Sequence, residues 1–163
     1  GLILIAQPVV QMIVSPAAGH LSDRIEPRIL ATAGMAFTAL GLFILIFLSP
    51  AMPLWVIIAG LAILGLGYGL FSSPNTNAIM SSVEVRHLGL ASGMVSTMRA
   101  IGQMLSLAIA MLIFSAVIGT VRISPDVYPQ LQQSVTIAFG LFFVIALVGI
   151  AASYARGTVH KDT

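Results

Sequence analysis

GHLSDRIEPRIL, Gly19–Leu30, holds four of the chain's twelve Asp, Glu, Lys and Arg residues and separates two long apolar runs. Gly1 to Ala18 on one side and Ile29 to Leu48 on the other carry no formal charge. At ~1.5 Å of helix rise per residue, each run approaches the thickness of a bilayer core. The stretch therefore reads as a short polar hinge between two membrane helices. Pro27 suits the first turn of the second helix, where its missing N–H would have no partner anyway. Asp23 and Glu26 stand near that helix start, whose partial positive charge favours carboxylates.

Composition extends this reading to the whole chain. Charged residues make up 7% of the 163, the hydrophobic fraction is 58%, and the mean hydropathy is +1.06; soluble domains carry roughly 25% charged residues and could not bury so much apolar surface. The start lacks an initiator Met and a basic segment followed by a cleavage site, so no signal peptide is expected and the chain reads as a fragment of a longer protein. Absence of Cys excludes disulfides and thiolate metal sites. A net charge of +2, spread over loop residues, does not point to nucleic acid.

The chain divides into five spans, at about 1–18, 29–48, 54–80, 90–119 and 135–155. In the first, Gln7, Gln11 and Ser15 recur every four residues on one face. That face avoids lipid, either by interhelical hydrogen bonding or by lining a water-filled cavity. Pro8 and Pro16 can each kink this helix. The second span has only Thr32 and Thr38 as polar residues, with Gly34 and Gly41 permitting close approach, and is expected to be peripheral and lipid-facing. SPAMP, Ser49–Pro53, is a tight turn.

Trp55 opens the third span at an interface. Its second half, GLGYGLFSSPNTNAIM, combines Gly65, Gly67 and Gly69 with Pro74, so it can approach neighbours closely and bend. With no strand before them, these glycines are not a nucleotide loop. Asn75 and Asn77 either cap and hydrate the helix end or face a cavity. After SSVEVRHLG, Ser81–Gly89, a fourth helix runs to about Gly119; thirty residues would span ~45 Å, so its first turns project from the membrane. Arg99 then lies near the membrane edge with Gln103 one turn deeper, either snorkelling to headgroups or facing inward. Counted from the ends opposite the hinge, Arg99 and Asn75 share a depth, which favours the inward alternative and a place at the inner mouth of a path. The loop TVRISPDVYPQLQQS precedes the fifth span, and RGTVHKDT ends the chain.

Strict alternation puts Arg24, Arg28, Arg86, Arg156 and Lys161 on one side and Arg122 alone on the other. The positive-inside rule makes the first side, with the C-terminus, cytoplasmic. None of the carboxylates falls within a span, so a proton-relay acid is not expected in this chain, and the chain alone is not expected to transport. His20, His87 and His160 lie in loops or the tail, which argues against an intramembrane enzyme. A non-transporting membrane scaffold stays open, although the polar stripes on spans one, three and four count against it.

The hinge resembles the loop signature G-x-L-(small)-D-R/K-x-G-x-R/K of the major facilitator superfamily. Gly19, Leu21, Ser22, Asp23, Arg24 and Arg28 fall on it in register, and Glu26 stands where that family usually has glycine. SPNTNAIM and LASGMVSTMRAIGQMLSLAIA are further similar to the C-terminal part of the fourteen-span drug:proton antiporters of the EmrB/QacA type. The resemblance implies an all-α polytopic bundle, formed by the last five helices of the C-terminal half, with spans two and five outermost. It further implies alternating-access export of small amphipathic compounds, a prokaryotic plasma (inner) membrane, and upstream helices of the same transporter as partners. An uptake permease of the same superfamily is the alternative. The resemblance also assigns to Asp23, Arg24 and Arg28 a cytoplasmic latch against the other half. Gln7, Gln11, Asn75, Asn77, Arg99 and Gln103 are the candidate cavity-lining residues; no metal and no cofactor is expected.

Overall fold

A computed structural model describes residues 2–22, 24–119 and 127–155. It contains five long helices: α1 (Ala6–Ser22), α2 (Pro27–Ile46), α3 (Leu54–Ser81), α4 (Leu88–Ile118) and α5 (Tyr128–Ala155). All five are long and apolar enough to cross a membrane, and no strand occurs among the described residues.

The helix ends differ from the expected bounds in ways the residues explain. A 3-10 turn, Leu2–Ile5, leads into α1. Pro8 lacks the N–H that the Leu4 carbonyl would receive, which accounts for the tighter winding there, whereas Pro16 is carried inside the helix. Helix α1 continues through Gly19–Ser22, and α2 begins at Pro27. The hinge is thus mostly helix, with only residues 23–26 between. Helix α5 starts at Tyr128, seven residues before the expected 135, so YPQLQQS is its first turns. There Ser134 is fully buried and donates to the Gln130 carbonyl at 2.9 Å, and Gln132 Nε2 donates to the Leu48 carbonyl at 3.3 Å. Helix α4, with 31 residues, is longer than a bilayer core needs. It stops at Gly119, whose φ of 73° is the left-handed conformation that glycine adopts at little cost.

In space the order is α1, α3, α2, α5, α4, with α4 also touching α3 lightly. Helix α3 is the centre, and glycines on its two sides set the spacing. A Cβ at Gly65 would collide with the Gln7 carbonyl oxygen, and one at Gly69 would lie 3.0 Å from Val14, both on α1. A Cβ at Gly67 would lie 2.5 Å from Thr38 Oγ1 and 2.7 Å from the Gly34 oxygen, both on α2; Gly60 and Gly41 form a second close pair with that helix. Two residues along a helix turn the direction by about 200°, so Gly65 and Gly67 serve opposite neighbours. Apolar association inside a membrane has no water to expel and depends on this close packing.

Span two is packed on two sides and keeps an exposed apolar face on another. Helix α2 is packed between α3 and α5, and 33% of its apolar window is buried, against none for α4. Its glycines approach α3, while Thr32 Oγ1 and Ser153 Oγ lie 2.9 Å apart and the Phe43 and Phe143 rings meet at 5.6 Å on the α5 side. Its exposed residues, among them Ile29, Ala36, Leu40 and Phe43, form one stripe along the helix. Helix α4 is more exposed still, with Met94, Met98, Met104 and Met111 all more than half exposed.

Candidate functional site

The polar side chains form two groupings, one at the hinge and one spread along three helices. The first is the hinge itself. Gly19 lets α1 approach α3, since a Cβ there would meet Ser73 Oγ at 3.0 Å. Ser22 Oγ donates to the Gly19 carbonyl at 2.6 Å and accepts from Asn77 Nδ2 at 3.1 Å. The small residues of the loop therefore pin α1 to the end of α3. The chain reverses through Arg24 N–H and Ile25 N–H, which both donate to the Leu21 carbonyl, at 3.1 and 2.9 Å. Leu21 and Arg24 are exposed. Asp23 lies outside the described residues.

Arg28 points elsewhere. Its guanidinium donates to the Tyr154 carbonyl and stands 5.0 Å from the Tyr154 ring centroid. A cation at the C-terminal end of α5 complements the helix dipole as well as an otherwise unsatisfied carbonyl, and the ring face adds cation–π attraction. With the Thr32–Ser153 hydrogen bond one turn deeper, Arg28 fastens α2 to α5 within this same bundle. Tyr154, Thr32 and Ser153 were not among the expected site residues. Tyr154 and Ser153 precede the basic tail like ordinary interface residues, and no local pattern pairs them with a loop so far back along the chain.

The second grouping lies along α1, α3 and α4. Gln7 and Gln11 are half-buried on α1, and neither side chain has a hydrogen-bond partner among the described residues. Gln7 is at the α3 contact, where its backbone abuts Gly65. Asn75 is half-buried on α3 and is not without a partner, and Asn77 holds Ser22. Arg99 Nη2 donates to Ser72 Oγ at 3.2 Å, bridging α4 to α3 across an otherwise sparse contact. Ser72 also lends its carbonyl to Thr76 Oγ1 at 2.8 Å. Ser72 is one turn from Asn75 on α3, and that spacing was the available signal for it. Gln103, one turn along α4 from Arg99, is exposed. These side chains present neutral amides, hydroxyls and one guanidinium. No cluster of three or more metal-ligating side chains occurs among the described residues. Such a surface can hydrogen-bond and orient a solute, and it holds no carboxylate to carry a proton.

A family model described as Major Facilitator Superfamily matches residues 1–162. The chain is 40% identical over 104 residues to an uncharacterized transporter, YebQ, of Escherichia coli (strain K12), covering 63% of this chain and 22% of that protein. It is 32% identical over 99 residues to the riboflavin transporter RibZ of Clostridioides difficile (strain 630), covering 61% and 22%. To the multidrug resistance protein Stp of Mycobacterium tuberculosis (strain ATCC 25618 / H37Rv) it is 33% identical over 135 residues, covering 83% and 24%. The matched part thus spans less than a quarter of the length of each of these curated relatives. A match over nearly the whole chain, joined to five apolar helices long enough to span a bilayer and a loop signature in register, places this integral membrane chain in the major facilitator superfamily of transporters.

Proposed function

We propose that this chain is part of a proton-driven exporter of small amphipathic compounds, operating by alternating access, with α1, α3 and α4 facing the transport path. The carrying observation is the Arg99–Ser72 bridge between α4 and α3, with Gln7 and Gln11 half-buried further along α1 and without a side-chain partner among the described residues. In a bilayer, a guanidinium and amides at the depth of the spans are costly unless they face protein or water. A positive charge at the path repels cationic cargo, so Arg99 is assigned to organising the mouth and its water rather than to gripping the solute. Among the described helices no Asp or Glu lies within a span, so the coupling carboxylates belong to other helices of the transporter. The names of Stp and of the multidrug efflux pump LfrA of Mycolicibacterium smegmatis (strain ATCC 700084 / mc(2)155), 28% identical over 116 residues, support export of drugs. RibZ supports a second reading, a carrier for a planar polar metabolite.

Proteoliposomes of the intact transporter distinguish these. An imposed pH gradient is expected to drive movement of a fluorescent amphipathic dye, with collapse of the gradient abolishing it. Dye movement indifferent to the gradient, or gradient-driven transport of riboflavin with none of the dye, overturns the proposal.

A further inference from the structure

Tyr68 stands between Gly67 and Gly69 in the middle of α3, and none of the interactions described so far uses it. Gly67 lies against the α2 backbone, and Gly69 abuts Val14 on α1. Successive helix residues are turned by about 100°. The two glycines therefore face opposite neighbours, and the side chain between them leaves α3 on a third side. Ser72 and Asn75, four and seven residues further on, share that side. Arg99 of α4 reaches Ser72 there at 3.2 Å. Close packing on both flanks fixes the backbone that carries the Tyr68 ring.

The ring is half-buried. Its hydroxyl makes no hydrogen bond among the described residues, yet it is not enclosed. Leu54 to Tyr68 is 14 residues, or ~21 Å of helix, which is too deep in a ~30 Å core for outer headgroups to satisfy a phenol. A hydroxyl left to hydrocarbon at that depth is costly, so this one is offered to water or to a solute. Because α4 runs opposite to α3, Gln103, one turn from Arg99, comes level with Tyr68, one turn from Ser72. Gln103 is exposed, and its amide is likewise without a side-chain partner among the described residues. One level of the bundle thus presents a fixed aromatic face, a hydroxyl and an amide, just outward of the Arg99–Ser72 bridge.

We infer that Tyr68 is a specificity-determining residue of the transport path, which stacks on a flat aromatic ring system and donates its hydroxyl proton to a carbonyl set in that ring. Stacking alone would accept any flat hydrocarbon. The hydroxyl selects for the acceptor, because a solute that cannot receive its proton leaves it desolvated and unpaired. A neutral aromatic ketone also fits beside Arg99, whose charge repels a cation. The inference rests on the reading that α3 and α4 face the path, and it holds for either direction of transport and any driving force.

The test is equilibrium binding to the intact transporter in nanodiscs with no gradient applied, followed by fluorescence polarisation. The probes are acridone and anthracene, each carrying the same neutral glycol tail. Wild type is expected to bind the acridone probe more tightly. Tyr68→Phe, which keeps the ring and removes the hydroxyl, should lower the ratio of acridone to anthracene affinity about threefold to tenfold. Tyr68→Leu, which removes the ring, should weaken both probes. Wild type that binds the two probes equally, or binds neither, overturns the inference. So does an unchanged ratio in Tyr68→Phe, or unchanged anthracene binding in Tyr68→Leu. A general loss of packing would weaken both probes together and leave the ratio alone, and unfolding of both variants at the wild-type temperature excludes a loss of fold. The expected binding pattern without gradient-driven dye movement in proteoliposomes would sink the proposal of proton-driven export and leave the role of Tyr68 standing.

Discussion

At the scale of single residues, similar glycines carry very different consequences. Gly67 sits against the α2 backbone, with Thr38 N and the Gly34 oxygen both within 2.7 Å of where a Cβ would be. Backbone atoms cannot rotate aside as a side-chain end can, so Gly67→Ala must separate the two helices. We expect it to destabilise the transporter by ~1–3 kcal/mol. Gly140 on α5 has nothing within 4 Å, and Gly140→Ala should be neutral or stabilising by up to ~1 kcal/mol, the usual helix-propensity gain. Unfolding in a denaturing-detergent titration checks both, and equal effects would contradict the packing argument. Arg99 makes the second residue-scale forecast. Lysine keeps the charge but loses the planar fork, so Arg99→Lys should reach the membrane normally and transport poorly. Normal transport by that variant, with residue 99 cross-linking to lipid, would return Arg99 to a snorkelling role.

Between elements, the contact that matters most for the hinge joins α2 to α5. Three interactions hold it at one end: the Arg28 hydrogen bond to the Tyr154 carbonyl, the Arg28–Tyr154 cation–π contact, and the Thr32–Ser153 hydrogen bond. Thr32 also donates to the Arg28 carbonyl one turn back, at 2.8 Å, so its hydroxyl is shared between its own helix and α5. Thr32→Val removes that hydroxyl and leaves Ser153, which is only 5% exposed, without its α5-to-α2 partner. The expected cost is about 0.5–1.5 kcal/mol. It should appear as faster amide exchange confined to the last turns of α5, while exchange across the α1–α3 contact is unchanged. Uniformly faster exchange in all five helices would mean that the hydrogen bond supports the whole bundle rather than this junction. By contrast, the exposed Arg86–Glu84 pair at 2.6 Å holds only a loop end and contributes little.

For the whole molecule, the division of labour within the hinge bears on how it could move. Gly19 and Ser22 bind to α3 and Arg28 to α5, which leaves Arg24 exposed as the basic residue of the loop available to another part of the transporter. A latch between halves would then draw on Asp23 and Arg24. Asp23→Asn is expected to leave insertion intact, lower transport, and raise labelling of cysteines placed in the hinge-side mouth. Wild-type transport with unchanged labelling would remove the latch from this loop. The five-to-one bias of basic residues makes the further forecast that a reporter fused after Thr163 is active in the cytoplasm; activity in the external compartment would reverse the orientation of every helix.

The number of membrane helices, their approximate ends and the superfamily were legible in the sequence, for a physical reason. A bilayer imposes a length and a polarity on each span separately, so a run such as Val135–Ala155 declares itself without reference to its neighbours. The hinge signature was local in the same sense, and so was the ability of Gly65, Gly67 and Gly69 to admit a close neighbour. Which neighbour each admits was not local. Apolar helices present much the same hydrocarbon surface to lipid and to one another, and the choice among partners is made by shape, which no single span encodes. Tertiary structure alone therefore turned Gly65 to α1 and Gly67 to α2, set α2 between α3 and α5, and gave Arg99 the hydroxyl of Ser72. It also took Arg28 out of the loop and set it on the last carbonyls of a helix 126 residues further along the chain, because the antiparallel packing of α2 on α5 brings a helix start and a helix end to the same side of the membrane.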